Sequence, residues 1–318
     1  MSSLPEDEMQ KILLTLAQKG EGLRRSLNYC SNAGDKRFRT AIRSFIDRRT
    51  HNDDAGNASL GREKYTDDNI FVTNGVSHGL QLMCGLAKPG DEVWLERPTY
   101  FLAADLFSGN HLVVKPLPMK CDSSGVDIDR LTAMVEREGV SPPKFIYIIP
   151  SYQNPTGSVL SVEERRKLAG FASKHGVIVL ADEVYHLLDW EKDSRVDESM
   201  TATRRPASLA WFNPAIDGDN DSGCCVSVSS FTKIWSPGVR VGWIEAPTFI
   251  IRKLERNGYI GECCFAQERH HRCNELHRTN YFLVRGTIRF AGRMRSIHGQ
   301  GADGSNRDQV AGQLSRQN

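Results

Sequence analysis

The chain has 318 residues, 39% of them hydrophobic and 25% charged, with a formal net charge of +2. That length and apolar content predict about two domains and exclude a mostly disordered chain; the near-neutral balance excludes the whole-molecule basic footprint of a nucleic-acid binder. The balance conceals an asymmetry, because residues 252–318 hold twelve Lys+Arg against six Asp+Glu, a local +6 that leaves −4 for residues 1–251. No stretch reaches the roughly 20 apolar residues that cross a bilayer. The acidic start MSSLPEDEMQ lacks the basic region of a secretory signal, so the expected setting is cytoplasmic, with no membrane partner. The eight cysteines form no C-x-x-C pair and read as reduced thiols.

Residues 1–24 are a short N-terminal segment. From there, short apolar runs rich in Val and Ile alternate with helical patterns. NIFVTNG (69–75) predicts a strand that leads into the helix SHGLQLMCGLA. EVWLERP (92–98) is the next strand, followed by the helix TYFLAADLFSG, the short strand LVVKPLP (112–118) and the helix IDRLTAMVERE (128–138). KFIYIIP (144–150), the amphipathic helix VEERRKLAGFASKHG and VIVLADEVY (177–185) follow. CCVSVSSF (224–231) and VGWIEAP (241–247) are the last predicted strands. Strands that are apolar throughout and separated by helices predict an α/β fold, with a mainly parallel sheet covered by helices on both faces. Ligands of open α/β sheets bind beyond the carboxyl ends of the strands. Residues 299–318, nearly free of large apolar groups, predict a disordered tail.

Four groups of residues fall at predicted strand ends: Thr73-Asn74-Gly75-Val76-Ser77, Asn154-Pro155-Thr156-Gly157, Asp182-Glu183-Val184-Tyr185, and Ser230-Phe231-Thr232-Lys233 with Arg240 seven residues beyond. Singly, each has an ordinary reading as a turn or a solvated side chain. The acidic pair is more informative, since a buried carboxylate needs a cationic partner. The chain has neither G-x-G-x-x-G nor G-x-x-x-x-G-K-[ST] after a strand, so the dinucleotide and P-loop readings fail. His270, His271 and His277 with Cys263, Cys264 and Cys273 fit no standard zinc spacing, and no metal is expected.

The order and spacing of LNYCSNAGDKRFRTAI (27–42), VTNGVSHGLQL (72–82), GDEVWLERPTY (90–100), YIIPSYQNPTG (147–157), VIVLADEVY (177–185) and SSFTKIWSPGVRVGWI (229–244) resemble the class I/II aminotransferases that use pyridoxal 5′-phosphate (PLP). Within these fold-type-I enzymes, the resemblance is to the 2-aminoadipate and aromatic-amino-acid branch. It implies a PLP-binding large domain over residues 25–255 and transfer of an amino group between an L-amino acid and a 2-oxo acid through a Lys233 Schiff base. Asp182 then faces the pyridine nitrogen, while Tyr185 and Asn154 bond the ring oxygen. Arg240, Ser230 and the N–H groups around Gly75, Val76 and Ser77 take the phosphate, at a helix end whose dipole favours an anion. Val76 stands where relatives often carry a small polar residue, so a side-chain contact is lost there. Tyr100 stacks on the ring. Tyr29 reaches the phosphate of a neighbouring subunit, which implies a homodimer with shared sites. The resemblance further leads us to expect a Lys233 desolvated and set beside cations, Arg240 among them. A PLP-dependent C–S lyase or synthase of the same fold fits the same residues.

The resemblance also sets an expectation for the C-terminus. A small domain that supplies an Arg for the substrate carboxylate should follow Leu254, yet only the basic residues 256–298 and the tail stand there, so the small domain reads as incomplete and the chain as truncated. Thr287-Ile288-Arg289-Phe290-Ala291 looks like the context of that Arg, but Arg289 follows Lys233 by only 56 residues, so a remnant of the motif and a coincidence both stand. A truncated, catalytically impaired PLP-binding protein is therefore an alternative reading.

Overall fold

The computed structural model describes residues 10, 11, 14, 15, 29–50, 65–122, 125–188, 207–214 and 223–256. Seven strands and six helices follow in chain order among them: α1 Lys36–Thr50, β1 Ile70–Thr73, α2 Val76–Cys84, β2 Glu92–Leu95, α3 Phe101–Gly109, β3 Val113–Pro116, α4 Ile128–Glu136, β4 Phe145–Ile148, α5 Val162–His175, β5 Ile178–Asp182, β6 Cys224–Ser230, β7 Gly242–Glu245 and α6 Thr248–Arg256. Every predicted strand is present. The strand expected over 177–185, however, ends at Asp182, because Val184–Leu187 form a turn. The predicted tail 299–318, Arg289 and the His/Cys group of 263–277 lie outside the described residues.

The sheet runs β1-β7-β6-β5-β4-β2-β3. β3, β2, β4, β5 and β6 are mutually parallel, while β7 is antiparallel to both of its neighbours, β6 and β1. β1 therefore points the same way as the parallel set. Strands β1, β4, β5, β6 and β7 are buried along their whole length, as near-continuous apolar runs require when both faces are covered. Only edge strand β3 is largely exposed.

Period-two alternation assigns the two faces. Val226, Val228 and Ile244 point into a hydrophobic core with Leu80, Phe107, Tyr147, Leu180, Ile250 and Leu254. Here Gly79 of α2 lies so close to the sheet that a Cβ on it would stand 2.6 Å from Val228 Cγ1. Ser227 and Glu245 point the opposite way. Ser227 Oγ accepts from the Ser208 hydroxyl and from the Ala210 amide, and Glu245 Oε1 accepts from Trp211 Nε1 at 2.5 Å and Arg43 at 3.0 Å. The single turn Leu209–Phe212 and α1 thus seal that face.

Local signals explain the helix ends. α5 starts with a capping box, in which Ser161 Oγ accepts from the Glu164 amide while Glu164 accepts from the Ser161 amide, and it stops at Gly176 in the left-handed conformation. α4 is capped by Asp127, whose carboxylate takes the Arg130 amide.

Candidate active site

All of the predicted groups meet at one edge of the sheet. β2, β4, β5 and β6 deliver their carboxyl ends there, and β1 does so too. Antiparallel β7 begins there, in the register Thr73↔Gly242↔Ser230. Arg240, two residues before β7, is thereby brought to the turn after β1.

Asp182 ends β5 and is buried. Its Oδ2 accepts the Tyr147 hydroxyl at 2.9 Å, and Oδ1 lies 3.4 Å from the Val184 amide. Burial pushes the carboxyl up to about 6, with these bonds and the nearby Lys233 charge opposing the rise. Burial likewise lifts the Tyr147 phenol well above its usual range, which keeps it a donor. Lys233, in the turn after β6, places Nζ 6.0 Å from the centre of the Tyr185 ring. The Tyr185 hydroxyl is hydrogen-bonded to Asn154, and Tyr100 lies within electrostatic reach of it. Ser230 is buried, and its Oγ accepts the Thr232 amide.

The turn after β1 forms a cradle. Gly75 adopts φ +92°, a region L side chains rarely enter, and caps α2 without any side chain of its own. A Cβ there would stand 2.9 Å from Arg240 Nη2, which donates to the Asn74 carbonyl at 3.0 Å. Arg240 is itself left-handed at φ +53°. The Asn74 amide is turned away to His78 Nδ1 at 3.0 Å, and burial lowers the His78 pKa, so the ring stays neutral and can accept. The amide groups that open α2 and the Arg240 fork thus stand together, as an anion site requires.

One expectation is corrected. Lys233 is exposed, so the desolvation expected around it is not supplied by the described residues. Arg240 and Ser77 are exposed as well, and Val76 is half-buried. Tyr29 is 88% exposed and stands outside the buried cluster.

The structure adds residues that the motifs did not single out. Arg165 is fully buried and is the cation that Glu183 requires, with Nη1 3.1 Å from Glu183 Oε1. It also donates to the carbonyls of Pro150, Leu160 and Ala207 and to Ser151 Oγ. A signal for it existed, because positions 165, 168, 169 and 172 form one buried stripe of α5 in which Arg165 is the single charge.

The fold and this edge form an open α/β domain with a buried acid, an amine and an anion cradle brought together at the strand ends. The chain belongs to the family described as aminotransferase class I and II, whose model matches residues 5–259. It is 31% identical over 201 residues to an aromatic amino acid aminotransferase of Schizosaccharomyces pombe, 61% of this chain and 42% of that protein. An uncharacterized aminotransferase of Saccharolobus solfataricus is 28% identical over 262 residues, 80% of this chain and 56% of that one. The chain thus spans about half the length of the curated relatives it matches. A crystal structure of kynurenine aminotransferase from Pyrococcus horikoshii shares the fold, with TM-score 0.72 at 21% identity over 91% of this chain and 64% of the other.

The family implies PLP, and the residues present fit it. A buried carboxyl raised by desolvation calls for an N–H donor against it, and the Gly75 cradle, closed by any Cβ, offers amides and a guanidinium to a phosphate. No group of His, Cys, Asp and Glu placed to hold a metal occurs among the described residues, and no described helix is long and apolar enough to cross a membrane.

Proposed function

We propose that the protein is a PLP-dependent transaminase that moves an amino group between an L-amino acid, of the aromatic class, and a 2-oxo acid. The observation that carries this reading is the buried Asp182–Tyr147 pair beside Lys233 and the Tyr185–Asn154 contact, all at the strand edge that also holds the Gly75–Arg240 cradle. The name of the S. pombe relative supports the aromatic class.

Bound PLP supplies an electron sink that acidifies the substrate α-carbon. Lys233 Nζ would hold the cofactor covalently, and its amine would be the base that takes and returns the substrate α-proton. Asp182 would accept a hydrogen bond from the cofactor's ring N–H, a partner that would offset the desolvation of its carboxylate. Tyr185 Oη and Asn154 would hold its ring oxygen, with Tyr100 against the ring, and Arg240, Ser230 Oγ and the amides of Gly75, Val76 and Ser77 would hold its phosphate.

Residues 25–255 form the PLP-binding domain of this proposal, followed by a basic segment over 256–298. The reading includes a homodimer, supported by the exposure of Tyr29, and a cytoplasmic setting, supported among the described residues by the free thiols of Cys84, Cys121, Cys224 and Cys225.

The test is to load the full chain with PLP and follow 2-oxo acid formation from L-tyrosine or L-phenylalanine with 2-oxoglutarate as acceptor. Acceptor-dependent turnover, abolished in Lys233→Ala together with the visible absorption of the bound cofactor, is expected. A colourless protein without turnover overturns the reading, and ammonia release without an acceptor replaces it with elimination.

A further inference from the structure

Glu96 and Gln153 have no role in the assignments above, yet both are almost fully buried. Glu96 follows the last residue of β2. Its Oε2 accepts the Ile149 amide at 2.8 Å, and its carboxyl is also hydrogen-bonded to the Gln153 side chain. Burial pushes this carboxyl up to about 8, with the Asp182 charge adding to the rise, so it is neutral at pH 7 and can both donate and accept.

Gln153 uses both ends of its amide. Nε2 donates to the Pro98 carbonyl at 2.7 Å, while Oε1 accepts both the amide and the hydroxyl of Thr156 at 2.8 Å. The backbone closes the same turn, with the Gly157 amide donating to the Gln153 carbonyl at 2.6 Å and the Gln153 amide to the Ser158 carbonyl at 2.9 Å.

The two segments joined in this way carry site residues. Pro98 stands two residues before Tyr100, and Gln153 stands immediately before Asn154. Asn154 is hydrogen-bonded to the Tyr185 side chain, and Tyr100 lies within electrostatic reach of it. Neither segment lies within a regular element there, so the strand ladder does not fix them against each other; a buried, hydrogen-bonded polar pair does.

We propose that Glu96 and Gln153 are positioning residues, a buried clip that locks the Pro98–Tyr100 segment to the Gln153–Gly157 turn and so sets Tyr100 and Asn154 at the Tyr185 hydroxyl. Its catalytic consequence rests on the transaminase reading above.

The test has two arms on the full chain. In the first, hydrogen–deuterium exchange is measured without added cofactor. Gln153→Leu should speed exchange at least tenfold in peptides covering 97–101 and 151–157 together, with the β5 and β6 peptides unchanged. Glu96→Gln, which keeps hydrogen-bonding capacity, should match the parent. Gln153→Asn, which keeps the amide but shortens its reach, covers the case in which Gln153→Leu does not fold, and should move both segments in the same direction by at least threefold. In the second arm, kcat for the amino acid should fall at least tenfold in Gln153→Leu with KM changed less than threefold, and Glu96→Gln should retain parental kcat. Faster exchange confined to one segment, or unaltered kcat in a variant whose two segments have loosened, overturns the proposal. If the parent chain turns over no amino acid, the transaminase reading fails alone, and the exchange arm still decides the clip.

Discussion

Asp182 and Glu183 are neighbours in sequence with opposite electrostatic fates. Burial would raise both, but His186 and Arg165 hold Glu183 below the usual carboxylate range, while Asp182 has only hydrogen bonds and the more distant Lys233 charge and is pushed up to about 6. Glu96, without any cation, rises to about 8. The sign of the consequence follows from proton linkage. Between the ordinary Glu pKa and pH 8 the folded protein holds the Glu96 proton and the unfolded chain does not, so this group's contribution to stability is complete at low pH and is lost as pH rises. Over pH 5–8 the parent should therefore lose stability relative to Glu96→Gln by about 1.4 kcal/mol per pH unit, the value of one proton. Urea midpoints of the two proteins, measured across that range without cofactor, check this. Parallel pH profiles would show that Glu96 ionises normally in the fold.

At the scale of elements, Gly242 controls how closely β1, β7 and β6 approach. A Cβ on it would stand 2.7 Å from the Ser229 carbonyl oxygen, 2.8 Å from Gly75 Cα and 2.9 Å from Thr73 Oγ1, mostly backbone that cannot step aside. Gly242→Ala should destabilise the domain by about 1–3 kcal/mol, the range for overpacking a tight site, and weaken PLP retention because the Gly75 cradle shifts with it. Thermal unfolding and cofactor dissociation measured side by side test both parts. Arg165 plays the corresponding part for α5, the 150–160 loop and the turn at 209. Arg165→Met should cost about 3–5 kcal/mol by removing the guanidinium paired with buried Glu183 and leaving it only His186, and adding Glu183→Leu should restore part of that loss. A double variant as unstable as the single one would contradict this account. These cases mark what the chain sequence discloses. The strands were legible because runs such as FIYI and IVLAD are apolar on both faces, and the site motifs because each ends such a run. The direction of β7 was not legible, since an apolar run carries no orientation, nor was the end of β5, since Val184 and Tyr185 continue the apolar pattern into a turn. Helices α1 and α6 escaped because α1 is rich in arginine and α6 follows Pro247 directly. Glu96 and Gln153 escaped because only the fold brings residues 57 positions apart into one contact.

For the whole molecule the decisive question is whether one chain completes a site. Among the described residues, the acid, the amine and the anion cradle all come from one chain, but Tyr29, which the family resemblance directs to a phosphate, is 88% exposed. Phe101 and Leu102, the first residues of α3 after Tyr100, are exposed as well, at 74% and 45%. Apolar side chains at a site rim and an aromatic hydroxyl that its own chain leaves in solvent suit a two-fold interface, where each chain lends the residue that it does not use. A mixing experiment tests this more sharply than mass alone. Lys233→Ala lacks the amine and Tyr29→Phe lacks the lent hydroxyl, so each homodimer is defective at both of its sites. In a hybrid dimer the Lys233→Ala chain lends its intact Tyr29 to the site that retains Lys233, and one of the two sites is whole. Random reassociation makes about half of the dimers hybrid, so activity should recover to about a quarter of the parental value. Recovery to that level after co-refolding, with sedimentation at twice 35.6 kDa, is the expected result. A dimer without recovery would remove Tyr29 from the shared site, and a monomer at tens of micromolar would remove the shared site altogether, leaving the exposed rim of α3 to be explained by contacts within the rest of the chain.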